Sequence, residues 1–407
     1  PYFFNICTFG IVMAATHNTK EVVATVTLTN SIKDITKNEW DICAGVDNPF
    51  LSYDFMSSLE DSGSVGPETG WLPQHLLYRN SSKKLIGIVP LYLKGHSYGE
   101  YVFDWGWADA FERAGQKYFP KLLSAVPFTP VTCPKLFVCP GENKEQVHSV
   151  LASGLVSALT QLKVSSLHVN FSTEGDWNFL GESGFLKRLG IQYHWHNDNY
   201  ASFEGFLAKL SSRKRKAIRK ERKAAAASGV KIRLLTGEEI KKRHWDAFYQ
   251  FYVDTSDRKW GSAYLNREFF DILGERMADK VLLVMAEYDE TLVGGALNFI
   301  GTDTLYGRNW GCLVDFKFLH FEACYYRAID FAIERGLSRV EAGAQGHHKL
   351  QRGYTPSFTY SNHYILDAQF REAVAEFLKR EGRHVLLEKA ELEKQSPFRK
   401  IEKNDSE

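Results

Sequence analysis

The segment SRKRKAIRKERKAAAA (212–227) places eight cations in its first twelve residues, with Glu221 the only acid among them. Ala224 to Ala227 are strong helix formers, Ser211 is an N-cap residue and Gly229 a C′ stop, so the segment predicts a helix. Arg213 to Lys216 then fall in its first turn. Cations there oppose the helix macrodipole at roughly 0.3–1 kcal/mol each, and like charges at i,i+3 and i,i+4 add to the cost. A phosphate-bearing or other anionic ligand relieves both costs. Arg215, Arg219 and Arg222 share one face by i,i+4,i+7 spacing. Arg213, Arg215, Lys216, Arg219 and Arg222 are therefore candidate anion-binding residues. The competing reading is a solvated surface helix.

A second constellation is EAGAQGHHKLQRGY (341–354). A strand is expected to end at Glu341, and loops at strand ends commonly carry sites. Gly343 and Gly346 permit close backbone approach, while Lys349 and Arg352 offer anion contacts. Gln345 and Gly346 complete the binding set. Glu341 or His347 suits the removal of a proton from an attacking ammonium. A structural loop with turn glycines is the alternative.

The third is the pair YVFDWGW (101–107) and YGRNWG (306–311). Asp104, Trp105, Arg308 and Trp310 are expected at strand ends, with Asp104 a catalytic carboxylate and the Trp faces walling an acyl or sugar group. Two core tryptophans are the plainer reading. Asp257 to Trp260 forms a polar loop whose Trp260 is a substrate-facing candidate. His194 with His196 and His347 with His348 lack the carboxylate or cysteine spacing that completes a metal site, so no metal is expected. No GxSxG motif and no cysteine in a nucleophile context occur, which favours direct acyl transfer to an amine over an acyl-enzyme route. No covalent cofactor is expected.

These residues need elements to hold them. In the second half, VKIRLL is a strand and 238–252 and 267–277 are helices, the latter with Asn266 as N-cap. VLLVMAEY and TLVGGALNFI form a hairpin, TLYGRNWG is a third strand, and Asp315 caps a helix that Gly336 stops. SRVEAG and SFTYSNHYILD are strands, and a last helix covers 368–394. The order β-α-α-β-β-β-α-β-(short α)-β resembles the GNAT acyltransferase fold. The first half repeats it, with EVVATVTLT, a Thr36–Glu39 capping box, the QHLLYRN/KLIGIVPLYLKG hairpin and EYVFDWG as a strand. EWD (39–41) aligns with HWD (244–246), DWG (104–106) with NWG (309–311), and LIG with LVG. Together they suggest an internal duplication.

The expected organisation is an extension over 1–21, one domain over 22–199, a second over 200–395 and a tail over 396–407, with a site in a cleft near the junction. Formal net charge is +1 over 407 residues, which excludes a dedicated duplex-DNA binder of uniformly basic character. Six scattered cysteines without a CxxC pair predict reduced thiols. Residues 1–21 fit a secretory signal poorly, and no run reaches transmembrane length. Cytoplasm, or plastid stroma if the extension is a targeting remnant, is the expected compartment.

Five segments carry a family resemblance: NPFLSYDFMSSLEDSGSVGPETGWLPQHLL, GHSYGEYVFDWGWADAFERAG, SRKRKAIRKERKAAAASGVKI, LVGGALNFIG and EAGAQGHHKLQRGYTPSFTYSNHYI. They resemble the peptidoglycan biosynthesis/recognition group of the GNAT and Fem superfamily across nearly all of residues 30–390. The resemblance implies an α/β (α+β) chain of two tandem GNAT-like domains with mixed, mainly antiparallel sheets. It also implies an N-acyltransferase that takes an acyl or aminoacyl group from acyl-CoA or aminoacyl-tRNA to an amine on a peptidoglycan-like or small-molecule acceptor. tRNA is then an expected partner. One departure stands out: the segment NWGCLVDF has a single glycine where GNAT enzymes carry a Gly-rich pyrophosphate loop. A non-catalytic binder of an anionic glycan or nucleic acid, using the same basic surface, is the alternative.

Overall fold

The computed structural model describes residues 25–260, 262–344 and 346–399. The expected extension over 1–21 lies outside them, as does Gln345. The chain divides into two compact units. One comprises residues up to Gly190 with Tyr264–Leu273 and Thr359–His384; the other comprises Ile191–Ala263, Gly274–Phe358 and Val385 onward. The sequence suggests two consecutive domains divided at 199/200. Each unit draws on more than one stretch of the chain, and the strands Leu186–His196 and Thr355–Ile365 and the helix Ala368–Lys394 each have residues assigned to both.

The first unit contains a four-stranded antiparallel sheet in the order Thr25–Thr29, His75–Arg79, Leu85–Val89, Phe137–Val138. The helix Lys144–Gln161 packs on it closely. A Cβ added at Gly154 would come within 3.0 Å of Val26 and 3.1 Å of Leu76, so a side chain there would crowd both methyl groups. Val26, Leu76, Ile86, Leu122, Leu155 and Leu167 share the resulting core. A second set of strands runs Trp71–Pro73, Tyr92–Lys94, Lys121–Ser124, Ser166–Ser172 and the last part of Thr355–Ile365. Helix Lys37–Ala44 starts with the expected capping box between Thr36 and Glu39, which satisfies two orphan N–H groups reciprocally.

The segment EYVFDWG is not a strand. Residues 95–104 form an irregular loop with Gly99 at φ 78° and Tyr101 at φ 59°, and Trp105 opens the helix Trp105–Arg113. The i,i+4 pair Trp107 and Phe111, both buried, explains the helix better than period-2 alternation does. NWG does lie in a strand, so DWG and NWG are not structural equivalents. The thiol expectation also changes. Cys43 and Cys139 form a disulfide, 96 residues apart in sequence. Helix Lys37–Ala44 and the end of strand Phe137–Val138 bring them together, and spacing alone could not reveal that.

The second unit is a meander of Lys231–Thr236, Val281–Tyr288, Thr291–Ile300 and Thr304–Cys312, all antiparallel. Strand Arg339–Glu341 then pairs parallel with Thr304–Cys312 and antiparallel with the end of Leu186–His196. The helix expected from Asp315 begins later, at Leu319, after Phe318 at φ 66°. It contains a π-helical turn, Glu322–Tyr326, before continuing as Arg327–Glu334. Both units are thus mixed α/β with mainly antiparallel strands.

Candidate functional site

Glu341 lies where a parallel strand pair comes apart. Thr304, Leu305 and Tyr306 pair with Arg339, Val340 and Glu341. Pairing stops there, although Thr304–Cys312 continues to pair on its other edge as far as Gly294↔Cys312. Beyond Tyr306 the strand therefore has no ladder partner on the Arg339–Glu341 side among the described residues. Gly307 stands at the fork, where a Cβ would lie 3.2 Å from the Glu341 carbonyl oxygen. Arg308, the next residue, donates to the Gly307 carbonyl at 2.9 Å and lies over the Tyr306 ring.

Glu341 is fully buried, and neither carboxylate oxygen accepts a hydrogen bond among the described residues. Arg339 Nε lies 3.5 Å from Oε1. Burial raises the Glu341 carboxyl, and the guanidinium charges of Arg308 and Arg339 only partly offset it. Across the antiparallel pair His194 faces Glu341. Burial pushes His194 down to about 3, with Arg339 adding to the effect, so its imidazole is neutral at physiological pH.

The loop after Glu341 turns on Gly343 (φ 75°) and Gly346 (φ 108°), a region open to glycine but strained for other residues. A short helix, His347–Leu350, follows. Lys349 is buried and donates to the carbonyl oxygens of Ala342 and Gly343. Burial brings its ammonium down to about 8. His347 is exposed, whereas His348 Nε2 is 2.9 Å from the Tyr325 hydroxyl. Arg352 is not open to a ligand: it donates to the His348 carbonyl and to both oxygens of Glu221, and stacks 3.4 Å from the Phe321 ring centre.

That pairing ties the loop to the basic helix, Ser212–Ala226. Its single acid, Glu221, also accepts from the Tyr326 hydroxyl. Arg222 meets Glu322 at 3.0 Å and Asp330 at 2.6 Å, and lies over Phe203. Arg219 pairs with Glu204, and Lys214 donates to Gln351. The candidate cations thus divide into two groups. Arg219 and Arg222 sit in ion pairs, whereas Arg213, Arg215 and Lys216 have no ion-pair partner among the described residues. Ser211 stands at the N-cap without a side-chain cap bond. Exposed Arg213, Lys216, Lys220 and Lys223 recur at i, i+3, i+7 and i+10 and form one row.

Trp310 is half-buried beside His320, their ring centres 5.5 Å apart, and contributes to packing. The Trp260 side chain lies outside the described residues.

Asp104 belongs to the first unit and is buried in a polar cluster. Lys121 Nζ donates to it, to Glu100 and to Ser97, and Tyr118 donates to its Oδ2 at 2.7 Å. Burial raises the Asp104 carboxyl, but the Lys121 ammonium outweighs this and holds it below the usual range. Burial lifts Glu100 to about 7 and lowers Lys94 to about 6. The sequence analysis singles out Asp104 but not Lys94, Glu100 or Lys121, which lie in the same cluster, nor the π-turn residues. Glu221, the lone acid in a cationic run, was the one available signal of an inward-facing contact.

Among the described residues no group of three potential ligands could hold a metal ion, and no helix is long and apolar enough to cross a membrane. No curated protein matches the chain. Three solved structures share its fold at low identity. FemX aligns with a TM-score of 0.53 at 12% identity, covering 84% of this chain and 98% of its own. A conserved protein of unknown function from Bacteroides thetaiotaomicron VPI-5482 aligns at 0.52 and 11%, covering 84% and 99%. The C-terminal domain of an Agrobacterium fabrum protein assigned as a lysylphosphatidylglycerol synthetase aligns at 0.51 and 8%, covering 84% and 95%. A family model for peptidoglycan biosynthesis/recognition matches residues 31–400, and the chain accordingly belongs to this FemAB-like family.

Proposed function

We propose that the protein is an N-acyltransferase that moves an acyl or aminoacyl group from an activated, phosphate-bearing donor to an amine. The observation that carries this reading is the fork between Thr304–Cys312 and Arg339–Glu341, with a buried carboxyl at its vertex. An extended acyl donor can satisfy the backbone groups that diverging strands leave unpaired. The acceptor nitrogen attacks the carbonyl carbon and forms the C–N bond, while the ribose hydroxyl or thiol leaves with a proton. Glu341, raised by burial, takes the proton from the acceptor ammonium. Lys349 uses two N–H groups on Ala342 and Gly343, and its third is directed to anionic oxygen on the donor or intermediate.

Aminoacyl-tRNA fits better than acyl-CoA as donor. The segment after Thr304–Cys312 exposes Leu313 and Val314 instead of a glycine cradle for pyrophosphate. The row Arg213, Lys216, Lys220, Lys223 instead suits a phosphodiester backbone. A family relation to peptidoglycan biosynthesis supports an amine on a cell-wall precursor as acceptor.

The test is mass spectrometry of candidate amines after incubation of the full chain with aminoacyl-tRNA or with acyl-CoA. A new amide with either donor, lost in Glu341→Gln, supports the reading. Salt-dependent tRNA binding without product from any amine would favour the alternative, a non-catalytic recognition protein.

A further inference from the structure

The first unit holds a cysteine and a lysine that the acyl-transfer reading does not use. Cys133 and Lys135 flank Pro134 in the stretch that leads into strand Phe137–Val138. Pro134 is exposed, while both flanking side chains turn inward: Cys133 is 2% exposed and Lys135 0%. Lys135 Nζ donates to the Cys133 carbonyl oxygen at 3.0 Å and to that of Phe171, on Ser166–Ser172, at 2.8 Å. Its third contact is Cys133 Sγ, at 2.9 Å. The backbone is held as well. The Lys135 N–H donates to Asp176 Oδ2, on the helix Glu174–Glu182, at 2.8 Å, and the Cys133 N–H donates to the Phe171 carbonyl at 3.1 Å.

A buried ammonium is costly unless an anion pairs with it. Among the described residues Cys133 is the only side chain within hydrogen-bond distance of Lys135 Nζ. Ionisation of the Cys133 thiol supplies the missing anion, and the thiolate is the form that oxidants attack. The contact is also close. A separation of 2.9 Å is ordinary for an N–H···O bond, yet sulfur is a larger atom than oxygen. One oxygen atom can bridge nitrogen and sulfur at that distance with little movement, whereas a direct S–N bond needs them much closer. The same unit already carries one oxidised pair, Cys43–Cys139. Those residues are 7% and 3% exposed, little more than Cys133. Local opening of short segments exposes such buried groups to small reagents.

We propose that Cys133 and Lys135 form a redox modification site that closes into a covalent S–O–N link between Sγ and Nζ, with dioxygen or hydrogen peroxide as the oxidant. With dioxygen, the S–H bond, one N–H bond and the O–O bond break, and S–O and O–N bonds form. The second oxygen leaves with both hydrogens as water. Sulfur and nitrogen each give up two electrons, the four that reduce dioxygen. With hydrogen peroxide, two molecules supply the same oxidation and three waters leave. An ammonium–thiolate pair carries the same protons as an amine–thiol pair, so the balance holds from either. Closure removes the buried charge and leaves one N–H on the linked nitrogen for the Phe171 carbonyl. A dithiol reductant reverses it, restoring thiol and amine and releasing the oxygen as water.

Mass spectrometry of the full chain tests this, after treatment with hydrogen peroxide and tryptic digestion without reductant. Cleavage after Lys135 should be lost, so that residues 122–135 stay joined to 136–144. The joined peptide should carry the mass of one added oxygen less two hydrogens, and dithiothreitol should restore both mass and cleavage. Cys133→Ser keeps the shape of the site and should retain cleavage under the same treatment. Cleavage after Lys135 with an alkylatable Cys133 thiol in the treated parent protein would overturn the proposal. So would sulfinic acid at Cys133 beside an unmodified Lys135, or a loss of two hydrogens with no added oxygen, the mark of a direct S–N bond. Lost cleavage in Cys133→Ser would overturn it as well. These readouts need no turnover, so their failure is distinct from failure of the acyl-transfer reading.

Discussion

Lys349 Nζ lies 3.3 Å from the carbonyl oxygen of Gly343 and also binds that of Ala342, so a buried ammonium clamps the two residues after Glu341. The clamp holds a strand end against a loop whose glycines, Gly343 and Gly346, are both at positive φ. Lys349→Met should therefore disturb the site more than the fold. We expect turnover to fall by about 10²–10³-fold, the scale of losing one donor to developing charge, with cooperative unfolding retained by circular dichroism.

The same lysine gives a pH signature. Its folded value is about 8, below the ordinary 10.5. Between those values the unfolded chain binds a proton that the folded chain does not, so stability from this group rises with pH across that window. Below about 8 both states are protonated and the contribution is constant. Denaturant titrations from pH 7 to 10.5 should show a positive slope of up to about 1.4 kcal/mol per pH unit, reduced in Lys349→Met. Equal slopes in both proteins would show that Lys349 is not held down by burial.

The row Arg213, Lys216, Lys220, Lys223 should govern polyanion binding. Replacing Lys216 and Lys220 by Glu should weaken tRNA affinity and flatten its dependence on salt. Each phosphate that the helix no longer neutralises should lower the slope of log K against log salt by about 0.7. Arg219, which is on the same helix but paired with Glu204 of Phe203–Lys209, serves as the control: Arg219→Ala should change the slope less. Filter binding at several salt concentrations decides it, and an unchanged slope in the double variant would remove this helix from the interface.

Legibility followed locality. The Thr36–Glu39 capping box, the Asn266 cap and the helix Ala368–Lys394 were readable because short-range spacing determines them. EYVFDWG was misread because apolar alternation outweighed the turn at Gly99 and Tyr101, whose conformation depends on what the loop covers. The π-turn Glu322–Tyr326 has no period of its own. It draws Glu322 and Tyr326 toward Arg222 and Glu221, contacts separated by about a hundred residues. Of the candidate residues, Glu341 and Lys349 can be named from the sequence because they flank a glycine-containing loop at a strand end. The ion pairing of Arg219, Arg222 and Arg352 cannot be, because their partners, Glu204, Glu322, Asp330 and Glu221, are set by packing.

Arg222→Ala should be the most destabilising change on the basic helix. It takes from the buried Glu322 and the part-buried Asp330 one of the two arginines they share, Arg327 being the other, and removes a guanidinium from the Phe203 face. Arg327 still reaches Glu322 at 2.9 Å, which limits the loss. A cost of about 2–3 kcal/mol is expected, below the 3–5 of a fully stranded buried charge. Urea unfolding of Arg222→Ala beside Arg213→Ala separates the roles, since Arg213 should cost under about 0.5 kcal/mol as an exposed residue.

The Cys43–Cys139 bond should stabilise the first unit chiefly through its unfolded state. It closes a loop with a sequence separation of 96, and chain-entropy arguments give about 4–5 kcal/mol for a loop of that size. Both sulfurs are buried between helix Lys37–Ala44 and strand Phe137–Val138, against a core that includes Trp40 and Phe137. Cys43→Ala/Cys139→Ala should therefore lower the melting temperature of the oxidised protein while leaving the reduced protein little changed. Thermal unfolding with and without a reductant checks it. If reductant lowers the melting temperature of the double variant as much as that of the parent, the effect comes from elsewhere in the chain.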